Sequence, residues 1–408
     1  MGYKDVISTD VGGTTFDVSL IKEGQLSYSR EPCIGNFGIA YPTLDITSIG
    51  AGGGTIAWAD LETKMIHVGP SSAGANPGPV CYDLGGTEPT VTDACLMLGY
   101  LNPEYFLGGQ MKLNRDKAAK AIEELGAKIG MDATGTAIAI YRLINAAMSE
   151  LMRGLTIRRG YDPRDFALIS FGGAGPMHAG VWGRELGVEE VIVPVAASTQ
   201  SALGLAMSDV IHTEMMPSYN QLPMDADEFN AKFEALENRI ANNLDKDKIH
   251  EGNRSINYYL EMKYGLQYHI LRIPVPRKRY EPEDMDFLAH EFDRIYEATY
   301  GKGAGYGTAG RYISNFIVQG VGAVPKPMLT EVKEEAINAS AALKGQREAY
   351  FEEAGKFIAT RTYAYDRLGA GNIVEGPAII EARQTTIVIH PDQKGIIDPY
   401  GNTIIKSR

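Results

Sequence analysis

Two aspartates near the start of the chain, Asp10 and Asp17, flank the run Gly12, Gly13, Thr14, Thr15. Each residue type in this pattern has a definite chemical capacity. An ionised carboxylate only accepts hydrogen bonds, so it suits a hard cation or that cation's water shell. Adjacent glycines leave room for a ligand close to the backbone, and their N–H groups can point at an oxyanion. The two threonines add hydroxyl donors. Together the types and spacing describe a phosphate site with a cation, in which Asp10 holds a metal ion or its water. The spacing by itself also fits an ordinary hairpin with a Gly-Gly turn. The run is not a P-loop, because no Gly-Lys-Ser/Thr follows. Nor is it the dinucleotide fingerprint, because a second strand and not a helix follows the glycines.

Two further glycine clusters could serve the same site. Gly52, Gly53 and Gly54 lie between apolar runs, within Thr47 to Thr55, with Asp45 just upstream. The plain reading is a flexible loop; the functional one is backbone passing close to substrate or phosphate. Gly172, Gly173, Ala174 and Gly175 follow the apolar run Phe166–Phe171 and precede Pro176, a residue suited to the first turn of a helix. Strand, glycine turn and helix N-terminus form a general anion cradle. His178 falls in that helix's first turn, where a packed histidine is at least as good a reading as a catalytic one. Arg153, Arg158 and Arg159 end a helical stretch, where cations complement the helix dipole or face a phosphate or base.

The elements that must position these groups can be read from hydrophobic period. Ile7 to Ile21 reads as a β-hairpin with a glycine tip. Gln25–Arg30 reads as a third strand. Residues 69–93, rich in Gly, Pro, Ser and Asn, read as an ordered loop over one side of a cleft, with Thr92 or Asp93 capping the next helix. Residues 115–130 and 134–159 have helical spacing. In the second, Ile138, Tyr141, Ile144, Met148 and Met152 form a stripe that belongs to a core. Strands at Phe166–Phe171 and Val191–Pro194 and helices from Pro176 and Ser201 complete an α/β lobe of RNase H-like order. Composition changes near residue 215. Beyond it come a charged helix at 226–248, alternating strands at 255–275, a helix at 283–299 and short strands up to residue 390. The sequence thus predicts two domains, 1–214 as the α/β lobe and 215–408 as a β-rich α+β accessory region.

Composition limits the function classes. A chain of 408 residues, 44% hydrophobic and 22% charged, is an ordinary globular protein. A net charge of −12 and the lack of a basic stripe argue against nucleic acid. No run of about 18 apolar residues suggests a membrane span, and MGYKDV lacks the apolar region of a secretory signal. Val6 stands where myristoylation needs Ser or Thr. Cys33, Cys81 and Cys95 have neither disulfide-framework nor zinc-site spacing, and read as buried reduced thiols of a cytoplasmic protein.

At these motifs a resemblance is specific. DVGGTTFDVSL resembles the second phosphate motif of the actin, Hsp70 and sugar-kinase ATPase fold. More narrowly, the chain resembles the hydantoinase A / 5-oxoprolinase / acetone carboxylase family. The matching stretches are ISTDVGGTTFDVSLI, IGAGGGTIAW, VGPSSAGANPGPVCY, EPTVTDACLMLGYL, RGYDPRDFALISFGGAGPMHA, SALGLAMSDV, GPAIIEARQTTIVIHP and DPYGN, in the family's order. The resemblance implies an actin/Hsp70-type ATPase lobe with ATP and Mg²⁺ as cofactors. It implies that Asp10 holds Mg²⁺ through water and that Gly12, Gly13, Thr14 and Thr15 bind phosphate oxygens. Asp17 then orients the attacking group, while Gly172, Gly173, Ala174 and Gly175 pass under the nucleotide and Gly52–Gly54 approach the ligand. The implied activity is phosphorylation of a small-molecule carbonyl, leading to lactam or hydantoin opening or to ketone carboxylation. The rivals are a non-catalytic scaffold subunit that keeps the fold, and a chaperone-like or sugar-kinase relative. Single-chain members carry a first lobe before this motif. The expected partners are therefore a separate chain bearing that lobe and a hydantoinase B-like subunit, with weak ATP binding by this chain alone.

Overall fold

A computed structural model of the protein describes residues 2–29, 33–34, 37–38, 43–335 and 337–407. Packing divides the chain into two compact units, residues 1–203 with 329–408, and residues 204–328.

The first unit is built on the hairpin of β1 (Val6–Val11) and β2 (Phe16–Lys22). Apolar residues alternate along both strands, so Ile7, Val11, Phe16, Val18 and Leu20 share a buried face. Ser8, Asp10, Asp17 and Ser19 occupy the other, half-buried face. The antiparallel register sets Asp10 directly opposite Asp17. On the far side of β2 lies β3 (Ile46–Ile49), which sets Ser48 opposite Asp17. The chain then forms the ribbon of β4 (Thr55–Asp60) and β5 (Met65–Ser72). It continues through helices α1 (Val91–Met97), α2 (Arg115–Ala127) and α3 (Ala133–Ile157). The α3 stripe Ile140, Ile144, Met148 and Met152 is buried as its spacing requires. Truncating one such side chain to alanine costs about 2–5 kcal/mol.

The next strand, β6 (Ala167–Phe171), pairs parallel with β1 and feeds α4 (Gly175–Leu186). It is followed by β7 (Val191–Val193), parallel to β6, and by the short α5 (Gln200–Ala206). The order β3-β2-β1-β6-β7, with β2 alone running against the other four, is the RNase H-like α/β arrangement expected from the sequence. The run Gln25–Arg30 is instead two short strands, Gln25–Leu26 and Tyr28–Ser29, and Arg30 lies outside the described residues.

The loop before α1 is ordered through one buried carboxylate. Asp93 accepts hydrogen bonds from Val80 N, Cys81 N, Thr90 N and Thr90 Oγ1 at 2.7–3.2 Å. Thr90, not Thr92 or Asp93, is the N-cap, and Asp93 closes a capping box from the third helical position. Cys81 and Cys95 are buried free thiols; the Cys33 side chain lies outside the described residues.

The second unit runs β8 (Val210–Leu222), α6 (Ala226–Lys246), β9 (Arg254–Tyr264), β10 (Leu271–Val275), α7 (Asp284–Tyr300) and β11 (Arg311–Gly322). Its antiparallel sheet has the order β8-β11-β9-β10. Phe229, Phe233, Leu236, Ile240 and Leu244 form the buried face of α6, and Met285, Leu288, Phe292 and Tyr296 that of α7. This is an α+β sandwich with its own core.

The segment after residue 328 belongs to the first unit. It contributes β12 (Leu343–Phe351), β13 (Lys356–Ala364), β14 (Ile373–Glu375), β15 (Ala378–Glu381), β16 (Thr386–Ile389), β17 (Gln393–Ile397) and β18 (Thr403–Ser407). Strand β18 pairs antiparallel with β7, Ile404 opposite Ile192, and β17 and β14 extend the main sheet beyond it. Phe351, Ile380 and Val388 share the core of Ile7 and Val11. The packing therefore differs from the expected division at 214/215. Strand β8 runs unbroken across that position, and the β-rich stretch is split between two cores.

One tie of the returning segment has a measurable pH signature. Glu353 pairs with Arg184 of α4, and its Oε1 lies 2.9 Å from His390 Nδ1. Burial alone would raise the Glu353 pKa, but the bonds and charge of His390 and Arg184 outweigh it and hold the carboxyl down at about 2. The folded value lies below the unfolded one. The stabilisation is therefore complete above the ordinary carboxylate range and is lost as pH falls toward 2. In urea titrations, Glu353→Gln should be less stable than the native chain at neutral pH by on the order of 3 kcal/mol. That gap should close in acid; a gap independent of pH would refute this account.

Candidate functional site

The hairpin tip, the Gly52–Gly54 loop and the Gly172–Gly175 turn come together at one end of β1. The tip is closed by Gly12 N donating to Thr15 O at 3.3 Å. Behind it, Gly53 N donates to Gly12 O at 3.0 Å and Gly54 N to Gly13 O at 2.6 Å. A Cβ on Gly52 would stand 2.7 Å from Thr14 N, and one on Gly54 2.8 Å from Gly13 O. These glycines make room for the hairpin, backbone against backbone, where the sequence reading had them approach a ligand. Gly12 and Gly13 differ: a Cβ on either would meet nothing within 4 Å. Their φ angles also lie outside the left-handed region. Thr14 Oγ1 lies 3.4 Å from Ser72 Oγ.

Gly172 is held at φ +84°, and a side chain there would overlap Val11 O and Asp10 Oδ1. The turn is locked to its neighbours by Ala174 N donating to Val11 O at 3.0 Å and Gly172 N to Ala197 O at 2.8 Å. Asp10 thus sits between the hairpin tip and the turn, and its Oδ2 accepts from Ser201 Oγ at 2.8 Å. Opposite it, Asp17 accepts from Thr15 Oγ1 at 3.1 Å and from Ser48 Oγ. Directly opposed residues on one face bring their Cβ atoms to about 4.5–5.5 Å, and two like charges so placed repel. A cation relieves that repulsion. Among the described residues no group of three or more His, Cys, Asp or Glu could by itself hold a metal ion.

Two groups weighed from the sequence lie elsewhere. Asp45 pairs with Arg159. His178 is fully buried, with Nδ1 3.1 Å from Asn145 Oδ1, and stacks with Tyr141 and Trp182. Burial pushes its pKa down to about 3, so it is a neutral core residue.

With this geometry in view, the comparisons with known proteins are decisive on family. Residues 1–214 match the hydantoinase/oxoprolinase family, and residues 218–406 match the hydantoinase/oxoprolinase C-terminal domain. The chain belongs to the hydantoinase/oxoprolinase family. The acetophenone carboxylase gamma subunit of Aromatoleum aromaticum is 35% identical over 419 residues, covering 100% of this chain and 57% of that protein. A nucleotide-free structure of acetone carboxylase, from work on ATP-dependent acetone carboxylation, aligns with a TM-score of 0.90 at 28% identity. It covers all of this chain and 59% of its own. The crystal structure of an ATP-dependent caprolactamase from Pseudomonas jessenii aligns with a TM-score of 0.80 at 33% identity, with the same coverage. The chain spans little more than half the length of these relatives. Among its described residues no helix is long and apolar enough to cross a membrane.

In this member of the hydantoinase/oxoprolinase family the candidate site also has neighbours that the motifs left without a role. Thr385 Oγ1 donates to Gly173 O at 3.0 Å, and Ser198 Oγ to Gln384 Oε1 at 2.8 Å. A strap from Ala382 to Thr385 therefore borders the glycine turn, beside a cleft of about 420 Å³ that Ser198, Tyr365 and Arg383 also line. The strap is fixed at its base by Glu381, which is 3% exposed and pairs with Lys344 and Arg347. The stretch EARQTTIVIHP carried the family resemblance, but nothing in its residue types pointed to the hairpin more than 350 positions upstream.

Proposed function

We propose that this chain supplies one side of the nucleotide site of an ATP-dependent enzyme that activates a carbonyl group by phosphorylation. The observation that carries this reading is the pair Gly12 and Gly13. Neither their backbone angles nor any neighbouring atom requires glycine, and both face open space beside Asp10. Close approach of a ligand is the physical reason that remains. The N–H groups of Gly13, Thr14 and Thr15 and the Thr14 hydroxyl hold phosphate oxygens, while Gly12 N closes the tip on Thr15 O and the Thr15 hydroxyl serves Asp17. Asp10, fixed by Ser201, holds Mg²⁺ through its water shell. Asp17, fixed by Thr15 and Ser48, orients the attacking oxygen, while Gly172–Gly175 and the Ala382–Thr385 strap border the nucleoside. When bound, ATP supplies the transferable γ-phosphoryl group, and the protein's contribution is positioning and neutralisation of charge.

Both lactam opening and ketone carboxylation require this activation, and relatives of each kind bear on the choice. The hairpin tip, with Gly13, Thr14 and Thr15 exposed, is one wall of a site. The opposite wall comes from residues outside this stretch, of the same or another polypeptide. The test is phosphate release by the assembled enzyme with a lactam, a hydantoin, and a ketone plus bicarbonate. We expect ATP turnover to depend on one of these classes. Nucleotide binding without turnover on any of them would make the chain a scaffold. No nucleotide binding would sink the reading altogether.

A further inference from the structure

The first unit contains a second cleft, of about 550 Å³, lined by residues of α3, α4 and the segments around 350 and 390. Its size falls within the roughly 300–1,000 Å³ of small-molecule sites. Tyr100, Tyr141 and Val181 give it aromatic and apolar surface. Its charged lining is unbalanced: four carboxylates, Glu185, Glu352, Glu353 and Asp392, stand against two guanidiniums, Arg142 and Arg184. Both guanidiniums are committed. Arg142 pairs with Glu352 at 2.8 Å. Arg184 is shared by Glu353 and, at 3.4 Å, Asp392. Glu185 has no ion pair among the described residues, and Asp392 has only that shared one.

The lining also holds a buried polar atom without a partner among the described residues. His390 is 2% exposed, with Nδ1 bonded to Glu353 Oε1. An ionised carboxylate can only accept, so Nδ1 carries a proton toward Glu353, which leaves Nε2 as the ring's other polar atom. That Nε2 has no partner among the described residues. Asn145 has its amide engaged by Tyr141 O at 2.8 Å and its Oδ1 beside His178 Nδ1. The cleft therefore has surplus negative charge at Glu185 and Asp392 beside aromatic rings, with its arginines already paired.

We propose that this cleft binds a small organic ammonium compound, its apolar body against Tyr100, Tyr141 and Val181 and its charged head between Glu185 and Asp392. An ammonium group brings three donors and no acceptor, and the faces of the tyrosine rings favour a cation. A carboxylate ligand would have to break an existing arginine pair or face like charge. The same residues reach the start of α4: Tyr141 Oη donates to Met177 O at 3.2 Å, and Asn145 contacts His178. A ligand here thus bears on the helix that leads out of the glycine turn.

The experiment is calorimetric titration of the intact protein, any partner chains retained and without nucleotide, with n-hexylamine, benzylamine and hexanoate near neutral pH. At least one amine should bind saturably and at least about tenfold more tightly than hexanoate. The double variant Glu185→Gln, Asp392→Asn should weaken that amine about tenfold, while Asp10→Asn leaves its affinity unchanged. Should the double variant fail to fold, Glu185→Gln alone, at an exposed position, should weaken it about threefold. The proposal is overturned if neither amine binds at millimolar concentration or hexanoate binds as well. Native affinity in the variants would overturn it too.

Discussion

Asp10→Asn should lower substrate-dependent ATP turnover by about 100-fold or more while leaving the fold intact or slightly more stable. The two effects have separate causes. Removing a group that holds a metal's water shell costs about 10–100-fold, and loss of preorganised charge at phosphoryl transfer adds to it. Asparagine keeps the shape of aspartate and an oxygen that can still accept from Ser201 Oγ, which lies 2.8 Å from Asp10 Oδ2. It also removes one of two negative charges placed opposite each other by the hairpin register. Relief of that repulsion is worth about 0.2–1 kcal/mol. Thermal unfolding and phosphate release on the same preparation check both halves. Unchanged turnover would remove Asp10 from the site. A large drop in melting temperature would mean that its role is structural.

Gly172→Ala should be among the most damaging single-methyl changes in the chain. At φ +84° a non-glycine residue is strained, and here the added Cβ would overlap Val11 O and Asp10 Oδ1 and lie 2.6 Å from Val11 C. Those atoms are backbone and a strand-end side chain, so the turn itself must move. Moving it breaks the bonds from Ala174 N to Val11 O and from Gly172 N to Ala197 O. Strain and overpacking together cost about 2–4 kcal/mol, and displacement of Asp10 should abolish turnover. Gly13→Ala is the matched control. Its Cβ meets nothing within 4 Å, so stability should hold while nucleotide affinity falls. Normal stability and turnover in Gly172→Ala would refute the turn's role. Unaltered nucleotide binding in Gly13→Ala would refute the phosphate assignment at the tip.

The sequence by itself determined the local elements. Alternation in Val6–Val11 and Phe16–Lys22 specifies a hairpin with one buried face, because a strand's period of two admits no other burial. The helical stripe of α3 and the strand–turn–helix at Gly172 are equally local. Family membership was legible too, since the motif residues sit at chain positions that need no structure to read. Tertiary structure alone decided where distant segments pair. The short strands after residue 343 carry alternation but no sign of which sheet they join. The register of β18 with β7 is fixed by core packing across more than 200 residues. For the same reason Ser201 and Thr385 could not be assigned from sequence. A serine or threonine hydroxyl is common and chemically unmarked, and becomes part of a site only when the fold sets it against Asp10 or Gly173. The reverse held for Gly52–Gly54, where a run of glycines reads alike whether it makes room for a ligand or for another backbone. Only the positions of the Thr14 and Gly13 atoms separate the two.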